Sequence, residues 1–461
     1  MAREPIIFEP SGVTPVEGRL AAFQTPRDGA LVATCFILLA IALSGVRPLW
    51  LDEILQLLMT SHTSVAQMIR ELPQNSGASP LGYLIQQATL QITGYSLTYA
   101  RLPEILFGGG SVFVVALLAG QLGFRSPWVS ASMFALFPLT LRYATESRVY
   151  APALFFSVLA TYLYVRLTKS PTGWLAAWYA LALTAAVYTH PYAASVGLVH
   201  VVWSITEKDR KSAFLGGTGL AGAAIAYLPW FLWSKSIWIA GIGQQKFGVS
   251  FSSKTPLMIF REMLGAGYWG SGLLLILCAF CFKERALGRS SSNLIGFLIV
   301  IPILSGLAID AWFSYFIAAR QFLWILPAVA LIGTAAVETR RMGAFIAAGL
   351  FVSVCILQSY KYFVSPREDW HAAAVLANQE AGSDGCFISV PLDQLKLYAF
   401  FVPELKAKGC KPQTSRVVLA LSPYATHDDL DLAIDQLILR GYSIQREATV
   451  GKSSIVSLVR P

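Results

Sequence analysis

The sequence predicts a polytopic α-helical membrane protein of about eleven spans, closed at its C-terminus by a small extracytoplasmic α/β domain. Three observations carry that expectation. Of 461 residues, 55% are hydrophobic and only 13% charged, where a soluble domain carries about 25% charged residues. The mean hydropathy is +0.57. Apolar runs of spanning length recur along the chain as far as residue 363 and then stop. The formal charge of +9 does not point to nucleic acid, because the basic residues are scattered through short loops and never form a run.

Residues 1–28 hold Arg3, Glu4, Glu9, Glu17, Arg19, Arg27 and Asp28, without the basic-then-apolar order of a cleaved signal peptide, and read as a cytoplasmic tail. The first apolar run, Ala30 to Val46, is uncharged and meets the lower limit of about 17 residues for a compact span. It reads as an uncleaved signal anchor. R-P-L-W-L-D-E, Arg47 to Glu53, follows directly and places two adjacent carboxylates, Asp52 and Glu53, at the mouth of that helix. Around them, Leu51, Ile54, Leu55, Leu57, Leu58 and Met59 have the pattern of an amphipathic helix lying in the lipid interface, with Trp50 as its anchor. An acid pair at headgroup depth can work on a lipid-borne substrate; equally, it can end a helix among solvated headgroups.

Residues 54–79 read as an external loop with short interfacial helices, ending in N-S-G-A-S-P. The stretch 80–94 carries three glutamines over too short a length for a span and suits a re-entrant or surface helix. Further spans are expected near 103–121, 127–143, 150–166, 173–189, 193–205, 214–233, 266–282, 293–311, 320–337 and 343–363. An odd total puts the termini on opposite sides. Arg125, Arg166, Lys169, Lys208, Arg210, Lys211, Lys283, Arg285, Arg289, Arg340 and Arg341 crowd the tight loops on the side of the N-terminus, which the positive-inside rule makes cytoplasmic. The opposite set, Arg47, Arg70, Arg101, Arg142, Arg148, Lys235, Lys246, Lys254, Arg261 and Arg320, is smaller. The expected domains are therefore the tail 1–28, a transmembrane domain 29–364 with an external loop over 47–102, and an external domain 365–461.

In that last segment a helix is expected over Asp369–Glu380, strands over Cys386–Val390 and Val417–Leu421, helical structure over Leu392–Lys408 and Asp428–Arg440, and a hairpin of Ser443–Val450 with Ser453–Val459. Cys386 and Cys410 could pair in an oxidising compartment. Cys278 and Cys281 have the spacing of a redox or zinc motif, but inside L-L-L-I-L-C-A-F-C-F they read as packing.

The polar groups that lack a topological reason converge on the outer face. The Asp52/Glu53 pair can supply a general base. The turn Tyr143-Ala-Thr-Glu146-Ser-Arg148-Val-Tyr150 adds a carboxylate that could share a divalent cation with the pair, and a guanidinium that could clamp a phosphate, unless Glu146 and Arg148 simply pair with one another. His190-Pro-Tyr192 ends a span, as a structural or a functional histidine. Arg320 opens another, to snorkel or to bind a lipid phosphate.

The order L-W-L-D-E, A-R-L-P-E at 100–104, Y-A-T-E-S-R-V-Y at 143–150, T-H-P-Y at 189–192, R-Q-F-L-W-I-L-P at 320–327 and E-D-W-H-A-A-A at 368–374 resembles the GT-C glycosyltransferases. The likeness is to the bacterial branch similar to protein mannosyltransferases, lipid A aminoarabinose transferases and rhizobial lipopolysaccharide galacturonosyltransferases, and it runs from about residue 30 to about 380. It implies a bacterial inner-membrane enzyme that passes a sugar from a polyprenyl-monophosphate donor to a lipid A, polysaccharide, lipid or protein acceptor on the outer face. It also implies Asp52 as catalytic base with Glu53 as its partner, and Glu146, Arg148 and Tyr150 as a second active-site loop. His190, Tyr192 and Arg320 become contacts to the donor phosphate. Where many relatives carry His-Pro-Pro, this chain has Ala78-Ser79-Pro80, so any metal or phosphate contact of that histidine is missing. An Mg or Mn ion held by Asp52 and Glu146 stays open.

A lipid or polysaccharide transporter would call for mid-span charges and an internal repeat, neither of which is evident. A polymerase or ligase of lipid-linked glycans would call for arginines in a large outer loop, and 234–262 offers only Lys235, Lys246, Lys254 and Arg261. A non-catalytic subunit of the same fold would have no need of Asp52.

Overall fold

The computed structural model describes residues 15–61, 64–74, 79–242, 255–264, 268–313, 318–411 and 414–461. Expectations for residues 1–14, Ala78, Lys246 and Lys254 lie outside them. The chain forms two compact units. One comprises Met1–Leu39, Leu106–Leu141 and Tyr150–Gln358; the other comprises Ala40–Ile105, Arg142–Val149 and Ser359–Pro461.

The first unit is helical. Among the described residues of the whole chain, seven helices are long and apolar enough to cross a membrane: Pro26–Ser44, Leu97–Gln121, Tyr150–Lys169, Arg210–Ser236, Arg289–Ile309, Ala319–Glu338 and Met342–Val364. Counting Leu257–Leu264 with Trp269–Lys283, bent by 98°, as one span makes eight. The chain is an integral membrane protein. The remaining expected spans are helices of lesser length. The run 127–143 is split into Pro127–Leu136 and Pro138–Ala144, with Phe137 extended between them, because Pro138 has no amide hydrogen to continue the ladder. The runs 173–189 and 193–205 become Gly173–Thr189, of 17 residues, and Ala194–Thr206, of 13. Two polar clusters inside this bundle are matched internally: the Tyr164 hydroxyl lies 2.6 Å from Ser204 Oγ and donates to the Ser212 carbonyl at 2.7 Å, and His200 lies between Tyr179 at 3.2 Å and Thr161 at 3.1 Å.

The second unit is built around a four-stranded sheet of β1 (Cys386–Val390), β2 (Arg416–Leu421), β3 (Ser443–Val450) and β4 (Ser453–Val459), in the order β1-β2-β4-β3. β1 runs parallel to β2, and the other pairs are antiparallel. The expected hairpin is found at its expected residues. Alternation sends Val390, Val417, Leu419 and Leu421 to one face, under the helix His427–Ile438. Phe387, Val418, Ala420 and Ile455 go to the other, against the helices Trp370–Ala381 and Leu395–Phe401. A disulfide joins Cys386 to Cys410. The stretch expected as helical over 392–408 is found as three pieces, the short helices Leu392–Gln394 and Pro403–Ala407 on either side of Leu395–Phe401. The break falls where Val402 leaves helical geometry before Pro403.

One expectation is corrected here. The helix Leu51–Thr60 is amphipathic, but its apolar stripe meets protein rather than lipid. Ile54, wholly buried, packs among Trp370, Ala373, Ala374 and Tyr398, with Leu51, Leu55 and Leu58 beside it. Leu57 packs against Leu90, of the helix Pro80–Ile92, and against Ala100. Burial of side chains like these stabilises by about 1.5–3 kcal/mol each. Helical periodicity reports an apolar stripe and is silent on what covers it.

Candidate active site

Asp52, Glu53 and Glu146, the carboxylates of the candidate site, each meet an arginine of the second unit. Asp52 and Glu53 occupy the first turn of Leu51–Thr60, where the exposed amides favour negative charge. Successive residues on a helix point about 100° apart, so the pair divides in function. Glu53 is 0% exposed. Its Oε1 and Oε2 each accept a hydrogen bond from Arg101, from Nε and Nη2, both at 2.8 Å, in the two-pronged geometry that suits guanidinium and carboxylate. Oε1 also accepts from the Ser147 amide at 2.7 Å, and Oε2 from the Trp50 amide at 3.3 Å. Arg101 spends its remaining donors on the carbonyls of Ser44, Arg47 and Pro48. One buried ion pair thus ties together the end of the first helix, the L-W-L-D-E segment, residue 101 and the 145–149 turn.

The Asp52 side chain keeps 22% of its surface exposed and faces Arg148, whose Nη2 lies 3.7 Å from Oδ2. Nη1 of the same arginine donates to the Asp52 carbonyl at 2.9 Å. Arg148 therefore pairs with Asp52.

Glu146 is wholly buried in a cage of cations and rings. Its Oε1 accepts from Arg367 at 3.0 Å, Arg142 at 3.3 Å and the Tyr362 hydroxyl. Arg47 lies 4.0 Å over the Tyr362 ring, and Arg367 lies 4.7 Å over that of Trp50. Burial pushes the Glu146 carboxyl up, but the guanidiniums of Arg142 and Arg367 and the Tyr362 hydroxyl outweigh it and hold it below its ordinary value. Trp50, expected as a lipid anchor, serves here as a platform for cations.

Close packing sets the position of the 145–149 turn. A Cβ on Gly82 would come within 2.5 Å of Val149 Cγ1, so only glycine lets Pro80–Ile92 approach the turn. Gln86 reaches it as well, its Oε1 accepting from the Ser147 hydroxyl at 2.8 Å.

The other four expected residues lie together in the first unit. Tyr150 begins the helix Tyr150–Lys169, and His190 caps the end of Gly173–Thr189. The His190 ring stands 5.7 Å from Tyr150, 5.8 Å from Tyr192 and 5.8 Å from Trp324, and the Arg320 guanidinium is 5.9 Å over Tyr150.

Several contributors were not singled out from sequence. Arg101 and Glu368 stand in motifs of the family resemblance without a role, and Arg142 is one of the outer charges. Arg367 adjoins the E-D-W-H run. Tyr362 and Tyr424 gave no signal. A divalent cation gains no support from the donor set. Glu146 is already surrounded by cations, Asp52 faces Arg148, and among the described residues no group of three or more His, Cys, Asp or Glu could hold a metal ion.

No family model matches the chain, and no curated protein does. Solved structures do. ArnT from Cupriavidus metallidurans bound to undecaprenyl phosphate superposes with a TM-score of 0.58 and 13% identity, over 93% of this chain and 97% of that one. Its apo state gives 0.57 and 13%, over 92% and 97%. The Archaeoglobus fulgidus oligosaccharyltransferase in complex with Zn and sulfate gives 0.52 and 12%, over 84% and 67%. The chain has the GT-C fold. At such identities the likeness is one of fold, and the chemistry rests on this chain's own residues.

Proposed function

We propose that this GT-C protein is a glycosyltransferase. It moves a sugar from a polyprenyl-monophosphate donor to an acceptor on the outer face of a bacterial inner membrane, with Asp52 as the general base. The observation that carries the reading is the division of labour in the acidic pair. Glu53 is consumed by Arg101 and the Ser147 amide, which leaves Asp52 as the carboxylate with an exposed face, on a helix held from several sides. The bound undecaprenyl phosphate of the ArnT structure supports a polyprenyl phosphate as the carrier of the donor sugar.

In the proposed step the acceptor oxygen attacks the anomeric carbon while its proton passes to Asp52. The bond from that carbon to the phosphate oxygen breaks, and the phosphate leaves with the electron pair. Attack from the face opposite the phosphate inverts the anomeric centre, through the oxocarbenium-like state of glycosyl chemistry. Charge developing on the leaving phosphate calls for cations, the role we assign to Arg148 and, from the resemblance, to Arg320 with His190. Tyr150 and Tyr192 frame that second group. Glu53 and Glu146 position the loops rather than touch substrate. The attacking oxygen belongs to a lipid A, polysaccharide, lipid or protein acceptor. No step is routed through a metal.

The test is transfer by membranes containing the full chain from a panel of radiolabelled undecaprenyl-phosphate sugars, with an envelope extract as acceptor. Label moving from one donor into the extract supports the reading and names the sugar. Donors that stay intact throughout, with a known GT-C enzyme active in the same membranes, would oppose it.

A further inference from the structure

We infer that Glu368 is a positioning residue for Asp52: reaching from the C-terminal segment, it caps the helix that carries the proposed base and fixes where that base stands. The inference rests on Asp52 being the base.

The helix Leu51–Thr60 begins without an ordinary cap. The first amides of a helix need acceptors from outside it, and the N-cap residue is Trp50, whose indole can only donate. Glu53 reaches back to the Trp50 amide. The Leu51 amide, one residue before the base, is taken at 3.0 Å by Oε2 of Glu368, which is 317 positions away in sequence. The same oxygen accepts from Trp370 Nε1 at 2.7 Å, and Oε1 accepts from the Tyr424 hydroxyl. Burial, and then the bond to Glu368, push the Tyr424 phenol well above its ordinary value, so it stays a donor.

Glu368 is itself buried, and Trp370 is the largest wholly enclosed side chain of the sheet's core. The cap is therefore referenced to the centre of the C-terminal α/β fold. On the other side of Asp52, Arg148 holds its carbonyl. The peptide before the base and the carbonyl after it are thus both fixed by other segments, while the carboxylate keeps its exposed face. A carboxylate at a helix N-terminus adds to this through the helix dipole. No part of the proposed chemistry uses Glu368, and this anchoring is what its three bonds accomplish.

The test uses the purified full chain and the radiolabelled undecaprenyl-phosphate sugar that supports transfer. kcat is referred to the folded, monodisperse fraction. Glu368→Ala is expected to lower kcat about 10- to 100-fold, the cost of displacing a reacting group by about 1 Å, with the donor KM changed less than about twofold. Glu368→Gln can still accept from Leu51 and Trp370 while its amide donates to the Tyr424 oxygen, and is expected to recover most of the rate. Tyr424→Phe should fall between, and decides the matter if Glu368→Ala does not fold. Asp52→Asn is run alongside. If Asp52→Asn is inactive and both Glu368→Ala and Tyr424→Phe keep the wild-type kcat, the inference is overturned and the base assignment stands. A loss seen as a raised KM, or a glutamine no better than alanine, overturns it equally. If Asp52→Asn keeps turning over, the base assignment fails and this inference goes with it.

Discussion

Arg101→Ala attacks the pair on which the site is assembled. It removes the two bonds to Glu53 and three to backbone carbonyls, and leaves the Glu53 carboxylate wholly buried with only the Ser147 and Trp50 amides. Breaking a buried ion pair from one side costs about 3–5 kcal/mol, because the remaining charge stays desolvated. For a cooperative unit of about 150–250 residues, each kcal/mol moves Tm by about 2–4 °C, so the expected drop is about 6–20 °C. The assay is thermal unfolding of the detergent-solubilised chain, with trypsin nicking between the helix Leu51–Thr60 and Arg101 as a second readout. Replacing both partners, with Glu53→Gln and Arg101→Met together, should restore much of the loss, since a neutral pair leaves no orphaned charge. A Tm within about 2 °C of wild type for Arg101→Ala would show that the pair is solvated in the working protein, and the account of Glu53 as a buried tie would fail.

Glu146 links the site to pH. Its carboxyl is held below its ordinary value in the folded chain, so its contribution to stability is present above the unfolded value of about 4.3 and is lost as pH falls through the folded one. Tm measured from pH 7 to pH 3 should drop for wild type below about pH 4, and Glu146→Gln should start lower and show a shallower acid limb. Gly82→Ala drives a methyl into Val149 and should lower transfer about tenfold or more while the chain still inserts, read as kcat at matched expression. The disulfide predicts that Cys386 and Cys410 react with a thiol reagent only after reduction, and that a membrane-impermeant reductant suffices if the domain is external.

How much of this was legible in the chain depended on the range of the interaction. The membrane class, the strands Cys386–Val390 and Ser443–Val450 and the Asp52/Glu53 pair are written locally, in hydropathy, alternation and adjacency. The cover over Ile54 is not, because a helix with one apolar stripe has the same sequence whether lipid or Trp370 lies against it. Nor is the partner of Glu146. Adjacency suggested Arg148, but the fold supplies Arg142, Arg367 and Tyr362, and the last two are more than 200 positions away. The Glu368 cap is another long-range contact of the same kind: nothing near Leu51 in sequence marks its amide as needing an acceptor from the far end of the chain. The break at Pro138 was the exception, a local signal readable as a proline within an expected span.

The central claim is that Asp52 takes the acceptor's proton, and the most direct test is Asp52→Asn. The amide is isosteric, so it can face Arg148 without disturbing the helix, yet it cannot act as a base at neutral pH. Transfer from the active undecaprenyl-phosphate sugar is measured for wild type and variant at equal folded amounts. The account predicts a loss of about 100-fold or more, with donor binding retained. Transfer near the wild-type rate would contradict it and move the base elsewhere.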